Sequence, residues 1–186
     1  MGNLVLIGAR GAGKSKVSRQ LSLLMRRPVM STDLLVSYEY GGLDVPAILQ
    51  QHGGDWRPFR ETEYRIIQRL SQMDELIIDT GGGMVVDLDE NGGEIQSQRK
   101  LEALRHNAYV VWLKGNIKQL VAKVAQDPRR PALADRQGTE ALVRRREPWY
   151  EAAAHLVVKI DGKTRKSLAR EIFGRAPGCD GPGDES

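Results

Sequence analysis

The chain has 186 residues, enough for one domain with its own hydrophobic core; its single cysteine, Cys179, excludes an internal disulfide framework. No run of roughly 18 apolar residues and no charged-then-apolar leader is found, so no membrane span is expected and the expected location is the cytoplasm. A net charge of +4, with about twice as many arginines as lysines but no aromatic interleaving or recognition module, argues against nucleic acid and for small anions, since arginine's planar fork suits phosphate and carboxylate.

Leu4-Val5-Leu6-Ile7 is an apolar run of strand length that leads into Gly8 to Ser15, GARGAGKS. A helical pattern follows from Lys14 to about Arg26, with Val17, Leu21 and Leu24 on one stripe. Strand, glycine loop and helix in this order hold a nucleotide's phosphates. The glycines let backbone amides wrap a phosphate, Lys14 reaches the β and γ oxygens, and the Ser15 hydroxyl can ligate Mg²⁺. Gly11, Ala12, Gly13, Lys14, Ser15 and Lys16 are therefore the expected nucleotide-binding residues, with ATP and Mg²⁺ as the expected cofactors. Pro28-Val29-Met30 predicts a short strand. Ser31-Thr32-Asp33 then stands at its carboxyl end, where open α/β sheets take their ligands. Short helices are expected from Leu34 to Tyr40, ended by Gly41-Gly42, and from Val45 to Gln51, stopped by Gly53-Gly54. Trp56 to Leu70 contains a longer helix that buries Phe59, Tyr64, Ile67 and Leu70.

Leu76-Ile77-Ile78 reads as a central strand flowing into Asp79-Thr80-Gly81-Gly82-Gly83. Three consecutive glycines add no packing volume; they allow close backbone approach and expose amide donors, or they form a plain flexible turn. Asp87 to Glu94 carries no periodicity and is expected to be a loop. A helix is predicted near Ser97 to His106, a strand from Tyr109 to Leu113, and a helix from Ile117 to Val124. Asp127 to Gln137, interrupted by proline and charge, is expected to form a lid, and a helix resumes from Gly138 to Arg146. His155 to Ile160 is a strand candidate. A last helix is capped by Thr164, turns Leu168, Ala169, Ile172 and Phe173 inward, and ends at Gly174. Alternating strands and helices predict an α/β, three-layer P-loop kinase fold, a mostly parallel sheet flanked by helices. One domain is expected over residues 1–175, followed by a Gly/Pro-rich acidic tail, 176–186, with no core-forming residue beyond Cys179.

A phosphate loop alone does not separate a kinase from an ATP-driven motor. Asp33, Arg60, the Gly81 to Gly83 run, Arg130 and Arg146 add the missing chemistry. A carboxylate orients an acceptor hydroxyl or receives its proton, and arginines clamp a carboxylate bidentately and balance charge on the transferring phosphoryl group. Together they point to a small, anionic, hydroxylated acceptor. Each has a plain alternative: Asp33 as a helix cap, Arg60 as a surface ion pair. Trp56, Trp112 and Trp149 read as packing or pocket-wall residues, Trp56 being the best pocket candidate for its nearness to Arg60. His52, His106 and His155 lack zinc spacing.

GARGAGKS, the aspartate of STD at Asp33, FRETE at Phe59 to Glu63, DTGGG at Asp79 to Gly83, RRPAL at Arg129 to Leu133 and REPWY at Arg146 to Tyr150 occur as an ordered set. In this the chain resembles the shikimate kinase family over roughly residues 2–174. The resemblance implies ATP-dependent phosphorylation of the shikimate 3-hydroxyl by a monomer, with Lys14, Asp33 and Arg130 catalytic. It implies that Asp33 contacts the shikimate hydroxyls, Arg60 and Arg146 clamp the carboxylate, Glu63 buttresses Arg60, Gly81 to Gly83 close around the ring, and Arg130 approaches the transferred phosphate from the lid. Two departures stand out. Ser31 occupies the position where the family pattern has an aspartate of the magnesium shell, while Asp79 occupies one that is small and neutral in many relatives. Asp79 is thus expected to supply the missing carboxylate through water, or else to hold the following glycine turn. The stretch from Asp87 to Glu94 departs from the compact family spacing. Two other readings stay open on sequence: a kinase for another hydroxylated acid or a nucleotide, and a nucleotide-binding regulatory protein weakened at Ser31.

Overall fold

Leu4 to Ile7 are all buried, as a strand enclosed between two helical layers requires, and this strand is the centre of the molecule. The computed structural model describes residues 2–125 and 136–177. In chain order the elements are β1 (Asn3–Ile7), α1 (Lys14–Met25), β2 (Val29–Ser31), α2 (Thr32–Glu39), α3 (Val45–Gln51), α4 (Arg57–Leu70), β3 (Ile77–Asp79), β4 (Val86–Leu88), β5 (Glu94–Gln96), α5 (Gln98–Arg105), β6 (Ala108–Lys114), α6 (Ile117–Ala125), α7 (Arg136–Ala153), β7 (Leu156–Lys159) and α8 (Arg165–Phe173). The main sheet has the order β2-β3-β1-β6-β7 and every neighbouring pair in it is parallel. α1 packs on α8, while α4 joins α2 and α5, and α6 joins α7, so helices flank the sheet. This is the expected α/β architecture.

The parallel direction brings the carboxyl ends of β1, β2 and β3 to one edge. The phosphate loop, Thr32-Asp33 and the glycine triplet all leave the sheet there. Among the described residues no helix is long and apolar enough to cross a membrane.

Several details differ from the sequence expectation. The stretch Asp87 to Glu94, read as a loop, belongs to the antiparallel hairpin β4–β5, whose three-residue strands are too short to show a period. α7 continues through Pro148 to Ala153 instead of ending at Arg146. Leu24 is 38% exposed and leaves the buried stripe to Val17 and Leu21. Tyr64 is only half-buried, and what covers its ring includes the Arg99 guanidinium, 4.4 Å from the centroid. Ala176, assigned to the tail, packs against the core. The expected lid up to Asp135, with Arg129 and Arg130, lies outside the described residues, as does Cys179.

Candidate active site

At the head of α1, Gly13 holds a φ of 86°, and a Cβ there would meet nothing within 4 Å. The left-handed turn, not crowding, is what calls for glycine. No side chain caps this helix start, the end of a helix that favours an anion. Gly11 and Ala12 form the approach, and Ser15 and Lys16 sit exposed in the first turn. Lys14 is buried; its Nζ donates to the carbonyl oxygens of Gly8 at 2.8 Å and Ala9 at 3.2 Å, which anchors the ammonium beside the loop.

The glycine triplet has a different cause. None of Gly81, Gly82 and Gly83 takes a positive φ; what they lack room for is a side chain. A Cβ on Gly81 would stand 2.3 Å from Asp33 Oδ1, one on Gly83 would stand 2.2 Å from Arg60 Nη1, and one on Gly82 would stand 3.1 Å from the backbone nitrogen of Arg10 in the phosphate loop. The same turn binds the third predicted residue, since Arg146 Nη1 donates to the Gly82 carbonyl at 3.2 Å. Asp33, Arg60 and Arg146, from three helices, therefore converge on one bare stretch of backbone. The turn is fixed by its neighbours: Thr32 Oγ1 accepts from Gly81 N–H at 3.0 Å, Thr80 Oγ1 donates to Leu6 O at 2.9 Å, and Tyr150 donates its hydroxyl to Gly82 O at 2.5 Å.

Both arginines are buried with a carboxylate. Arg60 Nη1 donates to Glu63 Oε2 at 2.9 Å, one helical turn along α4, and its guanidinium stands 4.9 Å from the Trp56 ring centroid and 5.6 Å from that of Phe59. Arg60 Nε is buried without a partner among the described residues. Lys100, 0% exposed, donates from Nζ to Glu63 Oε2 at 2.9 Å and to Val86 O at 2.7 Å. Burial pushes the Glu63 carboxyl up, but Arg60 and Lys100 together hold it below its ordinary value. Arg146 Nε donates to Glu94 Oε2 at 3.1 Å and its Nη2 to Glu94 Oε1. Burial works against the Arg146 charge, yet Glu94 and Tyr150 outweigh it and raise its pKa. Burial pushes the Tyr150 hydroxyl up to about 12 against the pull of Arg146, so it stays a donor.

The expectation for Trp56 acquires a partner in Arg60. Lys100, Asp87, Glu94 and the Tyr150 hydrogen bond were not foreseen: a lysine on a predicted helix reads as solvated, and the two acids fell in an apparent loop. A cleft of about 490 Å³ opens between α4 and the hairpin with Arg60 on its wall, but Lys14, Asp33 and Arg146 do not line it. Convergence of side chains, rather than that cleft, marks the site.

A family model described as shikimate kinase matches residues 10–176. The shikimate kinase of Leptospira biflexa is 43% identical over 173 residues, covering 93% of this chain and 94% of that one. This chain belongs to the shikimate kinase family. The shikimate kinase of Moorella thermoacetica is 35% identical over 173 residues, covering 92% of each chain. Among solved structures, shikimate kinase from Acinetobacter baumannii in complex with shikimate superimposes with a TM-score of 0.78 at 25% identity, covering 93% of this chain and 91% of that one.

In this member of the family, the two departures turn out to be neighbours. Ser31 and Asp79 are register partners on the adjacent parallel strands β2 and β3. Asp79 is 5% exposed, and among the described residues no hydrogen-bond donor or cation meets its carboxylate. Thr32 and Tyr150 hold the glycine turn at Gly81 and Gly82.

Proposed function

We propose that this chain transfers the γ-phosphoryl group of ATP to the 3-hydroxyl of shikimate, giving shikimate 3-phosphate and ADP. The observation that carries the reading is the convergence of Asp33, Arg60 and Arg146 on Gly81 to Gly83, at the sheet edge that also bears Lys14. Arg60 and Arg146 take the acceptor's carboxylate, whose two oxygens suit planar guanidinium forks. The N–H groups of Gly82 and Gly83, which donate to nothing among the described residues, face the bound ring. Asp33 orients the 3-hydroxyl and takes its proton as the oxygen bonds to phosphorus and the bond to the ADP oxygen breaks. Lys14 follows the β and γ oxygens, so the positive charge is in place where negative charge develops. Arg130 joins the transferred phosphate on the strength of the family resemblance. A monomer is the proposed working unit, on the strength of the family resemblance.

Mg²⁺ fits the residues present. Ser15 offers a hydroxyl in the first turn of α1, and Asp79 offers a buried, unpartnered carboxylate beside Ser31. We read Ser15 as a direct ligand and Asp79 as holding the ion's waters. When bound, the ion neutralises charge on the β and γ phosphates. Asp79→Asn is expected to raise the Mg²⁺ concentration needed for half-maximal ADP binding in calorimetry, with Ser31→Asp partly restoring it. Unaltered metal dependence would remove Asp79 from the ion's surroundings.

The test of the reaction is coupled ADP release with shikimate, with gluconate and with no acceptor. Shikimate alone is expected to lift Mg·ATP consumption well above background. Equal release in all three would sink the assignment.

A further inference from the structure

The β4–β5 hairpin takes no part in the chemistry above, yet the one acidic side chain on each of its strands leads to a clamp arginine. Its ladder pairs Val86 with Gln96, Asp87 with Ile95 and Leu88 with Glu94. From β5, Glu94 takes the Nε/Nη2 edge of Arg146 with both oxygens. From β4, Asp87 accepts from Ser97 Oγ at 2.7 Å and from Arg99 Nε and Nη2 at 2.8 and 3.0 Å, and lies 3.7 Å from Lys100 Nζ. That ammonium, held also by Val86 O, is the second partner of Glu63 and so stands behind Arg60. Arg57, at the start of α4, fastens the hairpin's turn through the carbonyl oxygens of Asp89 at 3.1 Å and Glu90 at 2.8 Å.

We propose that this hairpin is a two-armed brace that positions the acceptor clamp, with Glu94 acting directly on Arg146 and Asp87 and Val86 acting on Arg60 through Lys100 and Glu63. The inference rests on the acceptor clamp proposed above. A guanidinium has five N–H groups. Glu94 engages two of those on Arg146 and Gly82 a third, which leaves one on Nη1 and one on Nη2 for a ligand carboxylate. Bidentate pairing on one edge fixes the plane of the fork, so the other edge is set before the acceptor arrives, and less freedom is lost on binding. The brace also answers a cost, because a buried guanidinium without a counter-ion is unstable in the fold. A carboxylate that mimicked the acceptor would take the end-on edge; Glu94 takes the side edge and is tied there by its strand pairing.

Glu94→Gln keeps the shape and removes the charge. It is expected to raise the KM for shikimate about fivefold, leaving kcat and the KM for ATP within about twofold. Asp87→Asn is expected to raise the same KM by less, since two groups stand between it and Arg60. A lower shikimate KM in Glu94→Gln would make Glu94 a competitor of the acceptor and overturn the brace. An unchanged KM with only a lower melting temperature would reduce the hairpin to scaffolding and overturn it equally. Wild-type enzyme without shikimate-dependent turnover would instead defeat the function reading, and the brace is then judged by arginine side-chain NMR. An Arg146 Nε–H that exchanges slowly in the wild type and quickly in Glu94→Gln supports it; equal exchange in the two overturns it.

Discussion

Arg60 and Arg146 face the same turn from opposite kinds of support. Arg60 draws its carboxylate from its own helix three residues on, stacks on Trp56 and Phe59, and has Lys100 behind Glu63. Arg146 is met by a carboxylate 52 positions away, on a two-stranded ribbon where Glu94 is 15% exposed. A buried arm set by helix geometry keeps its position as long as the fold stands. The other arm is only as fixed as the hairpin's attachments, because an isolated two-stranded ribbon is marginal in water.

The largest expected consequence of this asymmetry is on stability. Glu63→Gln leaves the buried Arg60 without its anion and Lys100 with only Asp87, 3.7 Å away, and is expected to cost about 3–5 kcal/mol in urea unfolding. Glu94→Gln is expected to cost less, about 1–3 kcal/mol, since Glu94 itself lies nearer water than Glu63 and the Gly82 carbonyl still meets the buried Arg146. Equal losses would erase the distinction between the two arms. Next comes acceptor binding: Arg60→Lys and Arg146→Lys are each expected to raise the shikimate KM about tenfold or more, because an ammonium cannot reproduce a planar fork. Arg60→Lys is further expected to lower the melting temperature through lost ring stacking, and a matching loss in Arg146→Lys would argue against that division. Smaller effects are expected at the turn. Gly83→Ala presses on Arg60 and is expected to raise the shikimate KM severalfold, about 1 kcal/mol, whereas Gly81→Ala presses on Asp33 and is expected to lower kcat more than it raises KM. Steady-state kinetics on the pair reads the difference directly.

The mildest probe is acid. Glu63 has a folded pKa below its ordinary value of 4.5, so at higher pH its contribution to stability is complete. As pH falls below 4.5 the unfolded chain takes up the proton first, and the contribution is lost progressively down to the depressed folded value. Glu63→Gln is expected to flatten the acid limb of a stability–pH curve. An unchanged limb would place the acid sensitivity elsewhere.

The same asymmetry explains what could be read from the sequence. The phosphate loop, the strand ends carrying Asp33 and the glycines, and the Arg60–Glu63 pair are local: their chemistry depends on neighbours within a few residues, or on strands whose apolar runs announce them. The triplet was visible as a demand for space, though the occupants of that space, Asp33 and Arg60, come from elsewhere in the chain. Glu94 and Lys100 were not legible, since a pairing across 52 or 37 positions leaves no period behind. α7 runs on past Arg146 through Pro148, a residue that ordinarily ends a helix, and so carries Tyr150 onto Gly82.

The register of Ser31 with Asp79 has a consequence for how such a sheet edge can change over time. Adjacent strands lie about 4.8 Å apart, so exchanging an acid at the end of β2 for one at the end of β3 moves the charge sideways by one rung and leaves loop, helix and backbone untouched. If Asp79 holds the ion's waters as proposed, the carboxyl ends behave as a row of mooring posts, more than one of which can take the line. A chain with acids at both positions, as in Ser31→Asp, would then be doubly anchored.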